Sequence, residues 1–247
     1  MSAHDERIHA LVRTSALEHR IVTSNDGGPI RTIINGRQVK ATSRYAGFKT
    51  KRGLPCEADH ELGLLEISDV DAAVTEYMTQ PHRLEIAVPS QSRPLIYFPD
   101  LRRELADGSI EIVETKGKKD RRLQDPDYVF KLEAAREIYE SLGWTFKVLE
   151  RERILNGWLY RNAHSINQWA FAAITVARQF ALENAIEAAG GMLPYARAAE
   201  IVGGCPFLSP FVVRRRIRFD LTTNITDETA VSLVDHSSLN KQAIPLI

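Results

Sequence analysis

Cysteine is nearly absent: Cys56 and Cys205 are the two in 247 residues, far apart and without metal-ligand neighbours. That excludes a disulfide framework and a paired-cysteine zinc site, and fits free thiols in a reducing compartment. No run of about eighteen apolar residues occurs, and the opening MSAHDERIHA lacks an apolar signal core, which argues against export and membrane insertion. A cytoplasmic protein is the expectation. There is no Gly-rich phosphate loop of the Walker type, so ATP hydrolysis is not expected of this chain. His60, His82, His164 and His236 stand without metal or triad spacing. Internal repeats and low-complexity segments are also missing. Hydrophobic content of 44% and charged content of 26% are those of an ordinary globular protein with ample length for a core.

Net charge is zero as well, but the charges are segregated. Residues 31–52 carry seven Lys/Arg (Arg31, Arg37, Lys40, Arg44, Lys49, Lys51, Arg52) and no acid, whereas residues 57–76 carry seven acids and no Lys/Arg. A second basic run holds Lys116, Lys118, Lys119, Arg121 and Arg122, and a third holds Arg214, Arg215, Arg216 and Arg218. Alone, such runs are solvated faces; around an acidic cluster they suit a site that must neutralise phosphates.

That acidic cluster is the chain's sharpest feature. Tyr97-Phe98-Pro99-Asp100 is followed by Glu114-Thr115-Lys116, Glu114 standing fourteen positions after Asp100. Strand alternation puts Glu114 and Lys116 on one face. Two carboxylates converging on a hard divalent cation beside an ammonium suit hydrolysis at phosphorus. An isolated Glu-x-Lys would be read instead as a surface ion pair.

The surrounding pattern predicts a mixed α/β sheet flanked by helices. Residues 57–68 read as a helix with Glu57 and Glu61 on one face and Leu62 and Leu65 on another. Ala73 to Val88 reads as two extended pieces broken at Gln80-Pro81. Residues 95–105 and 110–117 read as a hairpin around Ala106-Asp107-Gly108, 127–142 as a helix stopped by Gly143, and Trp144 to Glu150 as a strand. A two-residue turn would point Asp100 away from Glu114, so a three-residue loop with Gly108 left-handed, pairing Leu105 with Ser109, is predicted. One long helix is predicted from Ser165 to Ala189, with Ile166, Trp169, Ala173, Val176 and Phe180 on its apolar stripe. Helical pieces near 194–203 and 208–217 and two short strands, Arg218–Thr222 and Ala230–Val234, follow. Trp144, Trp158 and Trp169 read as core anchors. This gives a basic N-terminal arm (1–56), a sheet domain (57–160) and a smaller, mostly helical, winged-helix-like C-terminal domain (161–247), with a cleavable junction between about 151 and 165.

The stretch AGFKTKRGLPCEADHELGLLEISDV, then Gln80-Pro81, YFPDL and VETK resembles the TnsA endonuclease subunit of heteromeric transposases, within the PD-(D/E)XK, or restriction-endonuclease-like, superfamily. The resemblance covers roughly residues 30–150, with a fainter echo in the C-terminal region. It implies a restriction-endonuclease-like fold and places the catalytic set at Glu61, Asp100, Glu114 and Lys116. Glu57 competes with Glu61 on the same helix face; the family pattern favours the later position. Ala58 stands where a Ser is common in the family.

By that resemblance Asp100 and Glu114 hold Mg²⁺ (Mn²⁺ substituting), the Thr115 carbonyl adds an oxygen, and Glu61 binds the same or a second ion. Lys116 activates the attacking water or stabilises charge on phosphorus. Lys49, Lys51, Arg52, Lys118, Lys119, Arg121 and Arg122 are the candidate DNA contacts. The implied function is 5′-strand cleavage at transposon ends in double-stranded DNA, beside a DDE-type transposase and an AAA+ regulator, at the nucleoid and with no membrane involved. The alternatives are a restriction or repair nuclease with the same core, and a catalytically idle DNA-binding adaptor. Lys116, read as a phosphate-facing cation, is expected to tolerate truncation without loss of fold.

Overall fold

The computed structural model describes residues 17–30, 43–50, 52–89, 91–117, 120–238, 244 and 246. Its first half runs β1 (His19–Thr23), β2 (Ser43–Tyr45), β3 (Leu54–Cys56), α1 (Asp59–Val70), β4 (Val74–Thr79), β5 (His82–Ile86), β6 (Leu95–Tyr97), β7 (Leu101–Leu105) and β8 (Ile110–Lys116). A 3₁₀ turn (Arg121–Gln124) leads into α2 (Pro126–Ser141), β9 (Thr145–Glu150), α3 (Arg151–Leu155) and α4 (Trp158–Asn167). The remainder is α5 (Val176–Ala188), β10 (Met192–Pro194), α6 (Tyr195–Val202), a 3₁₀ turn (Cys205–Leu208), α7 (Ser209–Val213), β11 (Ile217–Arg218) and β12 (Ala230–Leu233).

The central sheet has the order β4-β7-β8-β9; its first two pairings are antiparallel and β8–β9 is parallel, α2 serving as the crossover between them. Alternation along β8 sorts its side chains. Val113 joins the cluster built on Leu64, Leu65 and Ile67 of α1, while Ile112 joins the one built on Leu132, Ala135 and Tyr139 of α2. Each helix thus covers one face, which is the mixed α/β arrangement the sequence predicts. Asp125 caps α2 by accepting from the Asp127 amide (3.0 Å), Pro126 follows at the first position, and Gly143 (φ +76°) ends it. The hairpin register also holds. Leu101 pairs Val113, the Leu105 amide donates to the Ser109 carbonyl (2.9 Å), and Gly108 is left-handed at φ +81°.

Three expectations are corrected. The first strand of the hairpin is two strands: β6 pairs β5 in a separate sheet of order β1-β5-β6, and β7 pairs β4. The break falls at Phe98-Pro99, beside Pro81 on the neighbouring strand, where neither proline can donate to a ladder. The basic arm, whose residues 1–52 read from sequence as a short helical start and then irregular chain, holds strands: among its described residues β1 pairs β5, and Leu54 and Cys56 of β3 are fully buried. The long helix is broken at 168–175, because Asn167 turns its side-chain amide to the Glu66 and Ala163 carbonyls and the Thr175 hydroxyl caps α5. Its stripe divides accordingly: Ile166 is buried, while Trp169, Ala173, Val176 and Phe180 are exposed. Trp158 is exposed too; of the three tryptophans Trp144 packs, its ring stacked 5.7 Å from Tyr139.

No linker occupies residues 151–165, which are largely α3 and α4, and a boundary at 160 would fall inside α4. One apolar cluster runs from Leu54 through Leu64, Ala163 and Phe211 to Val231. Gly63 permits the close approach of α1, since a Cβ there would lie 2.8 Å from Leu155 and 3.1 Å from Tyr160.

Buried Asp69 on α1 fixes the segment after β2. It accepts from the hydroxyls of Tyr45 and Tyr77 (2.8 Å each) and from the amides of Phe48 (2.9 Å) and Lys49 (3.1 Å). Asp69→Ala strands four donors, so we expect a loss of about 3 kcal/mol or more, read as a lowered urea midpoint with an unchanged slope.

Candidate active site

The two sheets part at one level, and that level is the mouth of a cleft of about 480 Å³. Thr79 pairs Leu101 and Leu84 pairs Tyr97, so residues 80–83 face residues 98–100, an excess of one. This bulge, with a proline on each side, turns Asp100 out of regular pairing and into the cleft, where Glu61, Gln80, Glu114 and Thr115 also lie. Continuing the register one step past Leu101–Val113 sets Asp100 opposite Glu114, as the three-residue loop requires.

Asp100 is clamped through one oxygen: Oδ2 accepts from the Thr115 amide (2.7 Å) and hydroxyl (2.8 Å). Burial, then the charges of Glu114 and Glu61, push its carboxyl up to about 8 despite those two donors. Glu114 is buried (4% exposed) and surrounded: Tyr97 donates to Oε2 (2.7 Å), and Tyr128 (2.9 Å) and the Lys116 ammonium donate to Oε1. Lys116 is 0% exposed and also donates to the Tyr128 hydroxyl. Glu114 and Lys116 do share a face, as alternation predicts. They form a buried pair closed over by tyrosines, however, and Lys116 is not a phosphate-facing cation.

Glu61 sits at the third residue of α1. Its Oε2 accepts from the Glu57 amide (2.8 Å), closing the helix start that Ala58 leaves without a side-chain cap. Glu57 lines the same cleft, and its Oε1 is buried with no hydrogen-bond partner among the described residues.

The expected DNA contacts separate. Lys49 turns inward to the Ser68 (3.0 Å) and Asp71 carbonyls, and burial pushes its ammonium down to about 7; it is a core group and not a surface cation. Arg52 is exposed and lies against Asp26 (3.6 Å). Arg122 lines the cleft, bonded to Asp120 (2.7 Å) and 5.2 Å from the Tyr128 ring. Arg121 opens the 3₁₀ turn beside it. Lys51, Lys118 and Lys119 lie outside the described residues.

Sequence reasoning missed Tyr97, Tyr128 and Lys131. Lys131 lines the cleft with its ammonium 5.1 Å from the Tyr128 ring centroid, and burial lowers its pKa. Tyr97 stood three residues before Asp100 in a motif already singled out. Tyr128 and Lys131 are one turn apart at the start of α2, a spacing with no signal until that helix is docked.

Among the described residues no three His, Cys, Asp or Glu side chains form a ready-made cation cage. The donor chemistry still fits a hard divalent ion: Asp100 is a carboxylate whose ionised form is disfavoured by burial and by Glu114 and Glu61 more than Thr115 compensates, and Glu57 offers a buried oxygen without a donor among the described residues. A cation at Glu114 would compete with donors already seated on both of its oxygens.

Residues 71–151 match the family model for the TnsA-like endonuclease N-terminal domain. The match spans β4 to the start of α3 and contains Asp100, Glu114, Thr115 and Lys116, whereas Glu61 lies ten residues before it. No curated protein matches the chain. Residues 71–151 are thus similar to a TnsA-like endonuclease N-terminal domain and lie in a mixed α/β core.

Proposed function

We propose that this chain is a metal-dependent DNA endonuclease hydrolysing phosphodiester bonds at the Asp100 cleft. The observation that carries this reading is the convergence at one bulge of Asp100, raised by burial and held by Thr115, with the Glu114–Lys116 pair. Asp100, Glu114 and Glu61, with the Thr115 carbonyl, would hold Mg²⁺ or Mn²⁺. Bound there, the ion supplies a more acidic water and draws charge from the phosphoryl oxygens. The chain's own residues do the rest. Thr115 fixes one Asp100 oxygen, and Tyr97 and Tyr128 orient Glu114. The Lys116 ammonium, donating to Glu114 and Tyr128, suits stabilising negative charge better than taking a proton. Arg122 and Lys131 supply positive charge on the α2 side of the cleft, where a phosphate backbone could lie.

The wider role is a transposase subunit that cuts 5′ strands at transposon ends in double-stranded DNA, beside a DDE-type transposase and an AAA+ regulator, in the cytoplasm at the nucleoid. The order α5, β10, α6, α7, β11, β12, with β12 central in its sheet, supports a winged-helix reading of the C-terminal region, which would contact DNA or those partners. One observation favours a second reading, an idle adaptor: both Glu114 oxygens are already occupied.

Nicking of supercoiled plasmid in Mg²⁺ or Mn²⁺, with EDTA and Asp100→Asn controls, decides between them. Metal-dependent nicking that Asp100→Asn loses is the expected result; equal, EDTA-insensitive behaviour of both proteins refutes the enzyme. A restriction or repair nuclease would cut plasmid alike, and differs in having no response to transposon-end sequences or to a transposase partner.

A further inference from the structure

Gln80 combines a constrained backbone with a cleft side chain that the fold leaves without a described partner. It is one of two non-glycine residues among those described with positive φ, at +44°. Glutamine rarely adopts that region, and the following Pro81 further restricts its backbone. Both main-chain groups are tied: its amide donates to the Asp100 carbonyl (2.9 Å), and its carbonyl accepts from the Ile30 amide (2.9 Å). The strain is therefore held in register with Asp100 itself.

The side chain lines the cleft and is 7% exposed, yet its Oε1 is buried and has no hydrogen-bond partner among the described residues. A glutamine serving merely as a turn would direct its amide to solvent or to a neighbouring main-chain group. Strain and an unsatisfied buried acceptor both disfavour the folded state, and both converge on one residue of the reaction cleft. An acceptor there, without a donor among the described residues, can take one from a molecule that enters the cleft.

We propose that Gln80 is a water-positioning residue: its side-chain oxygen accepts a hydrogen bond from the water that attacks phosphorus, aligning that water relative to Asp100. This rests on the endonuclease reading. The water's oxygen forms the new bond to phosphorus and gives up its proton to bulk water, the bridging ester oxygen leaves with the electron pair of the bond that breaks and takes a proton from bulk water, and Gln80 neither gains nor loses a proton. Its contribution is orientation, an effect for which small misplacements cost roughly a hundredfold in rate.

Three replacements separate this role from a structural one. Gln80→Gly accepts the left-handed backbone and removes the amide. Gln80→Met keeps the bulk but not the acceptor. Gln80→Asn keeps a carbonyl and tolerates positive φ. Single-turnover plasmid nicking, DNA affinity by gel shift, thermal melting and a Mg²⁺ calorimetric titration without DNA are measured on the full chain. We expect the Gly and Met variants to nick at least tenfold more slowly with DNA Kd within twofold of wild type. We also expect melting temperatures equal or higher for Gly, and partial recovery of rate in Asn over Met. Wild-type rates in Gln80→Met overturn the proposal. So does a fall in melting temperature of several degrees in both Gly and Met, which would make Gln80 a brace. Mg²⁺ affinity weakened tenfold by Met without DNA would make the oxygen a cation ligand and also overturns it. If wild type nicks no faster than Asp100→Asn, the endonuclease reading itself falls, and the proposal with it.

Discussion

Lys116→Met is expected to abolish cleavage and to destabilise the fold by about 3 kcal/mol or more, because it leaves Glu114 charged, buried and short of its cation. A surface lysine would cost almost nothing. The double variant Glu114→Gln/Lys116→Met removes both charges, its amide oxygen accepting from one tyrosine and its amide NH2 donating to the hydroxyl of the other; it should regain most of the lost stability while remaining inactive. Urea unfolding and plasmid nicking on the four members of this cycle read the two effects separately. Equal unfolding midpoints for wild type and Lys116→Met would show that the buried pair does not act as a unit. The sequence expectation that truncating Lys116 spares the fold is thus reversed by its burial.

Asp100→Asn should lower the nicking rate by about a thousandfold or more, yet yield a more stable protein around pH 8. The carboxyl titrates near 3.8 when free and is pushed up to about 8 in the fold, chiefly by burial and then by Glu114 and Glu61. The folded state therefore holds a proton that the unfolded chain has released. The stabilisation from that proton is complete below about 3.8 and is lost as pH rises toward about 8, at roughly 1.4 kcal/mol per unit. Asparagine can still accept from Thr115 and carries no charge, so its variant should lose this slope. Mg²⁺ competes with the same proton, so the rise in melting temperature on adding Mg²⁺ should grow from pH 6 to 8 in wild type and vanish in Asp100→Asn. A Mg²⁺ response that is independent of pH, or retained in the variant, would place the ion elsewhere.

Much of the core was legible because its cues are local. Alternation set Glu114 with Lys116, and Gly108 set the loop that brings Asp100 opposite them. The apolar spacing of α2 and its Gly143 terminator needed no tertiary information. The misreadings come where distant partners decide. Lys49 looks like a member of a basic run until Ser68 and Asp71 are seen to claim its ammonium. Nothing near residue 168 in the sequence says that Asn167 will bond across to Glu66 and end its helix. The strand break at Phe98-Pro99 was signalled by proline but was masked by the continuous apolar run around it. The cleft tyrosines were hidden for another reason: Tyr97 and Tyr128 fall on different elements and meet only through Glu114.

The contact between α1 and α4 has a consequence for the order in which the protein is made. Among the residues lining the cleft, Lys131 comes last in the chain. The back of α1, which carries Glu61, packs in one apolar cluster with Ala163 and Ile166 of α4 and with Phe211 and Val212 of α7. A ribosome that has just added Lys131 has therefore synthesised every described residue lining the cleft, and Val113 of β8 beneath α1, without the α4 and α7 part of the surface that seats α1. On the endonuclease reading, hydrolytic competence waits for residues some eighty positions further on (Phe211 and Val212 against Lys131). On that reading, a chain terminated between those points should leave the DNA around it uncut.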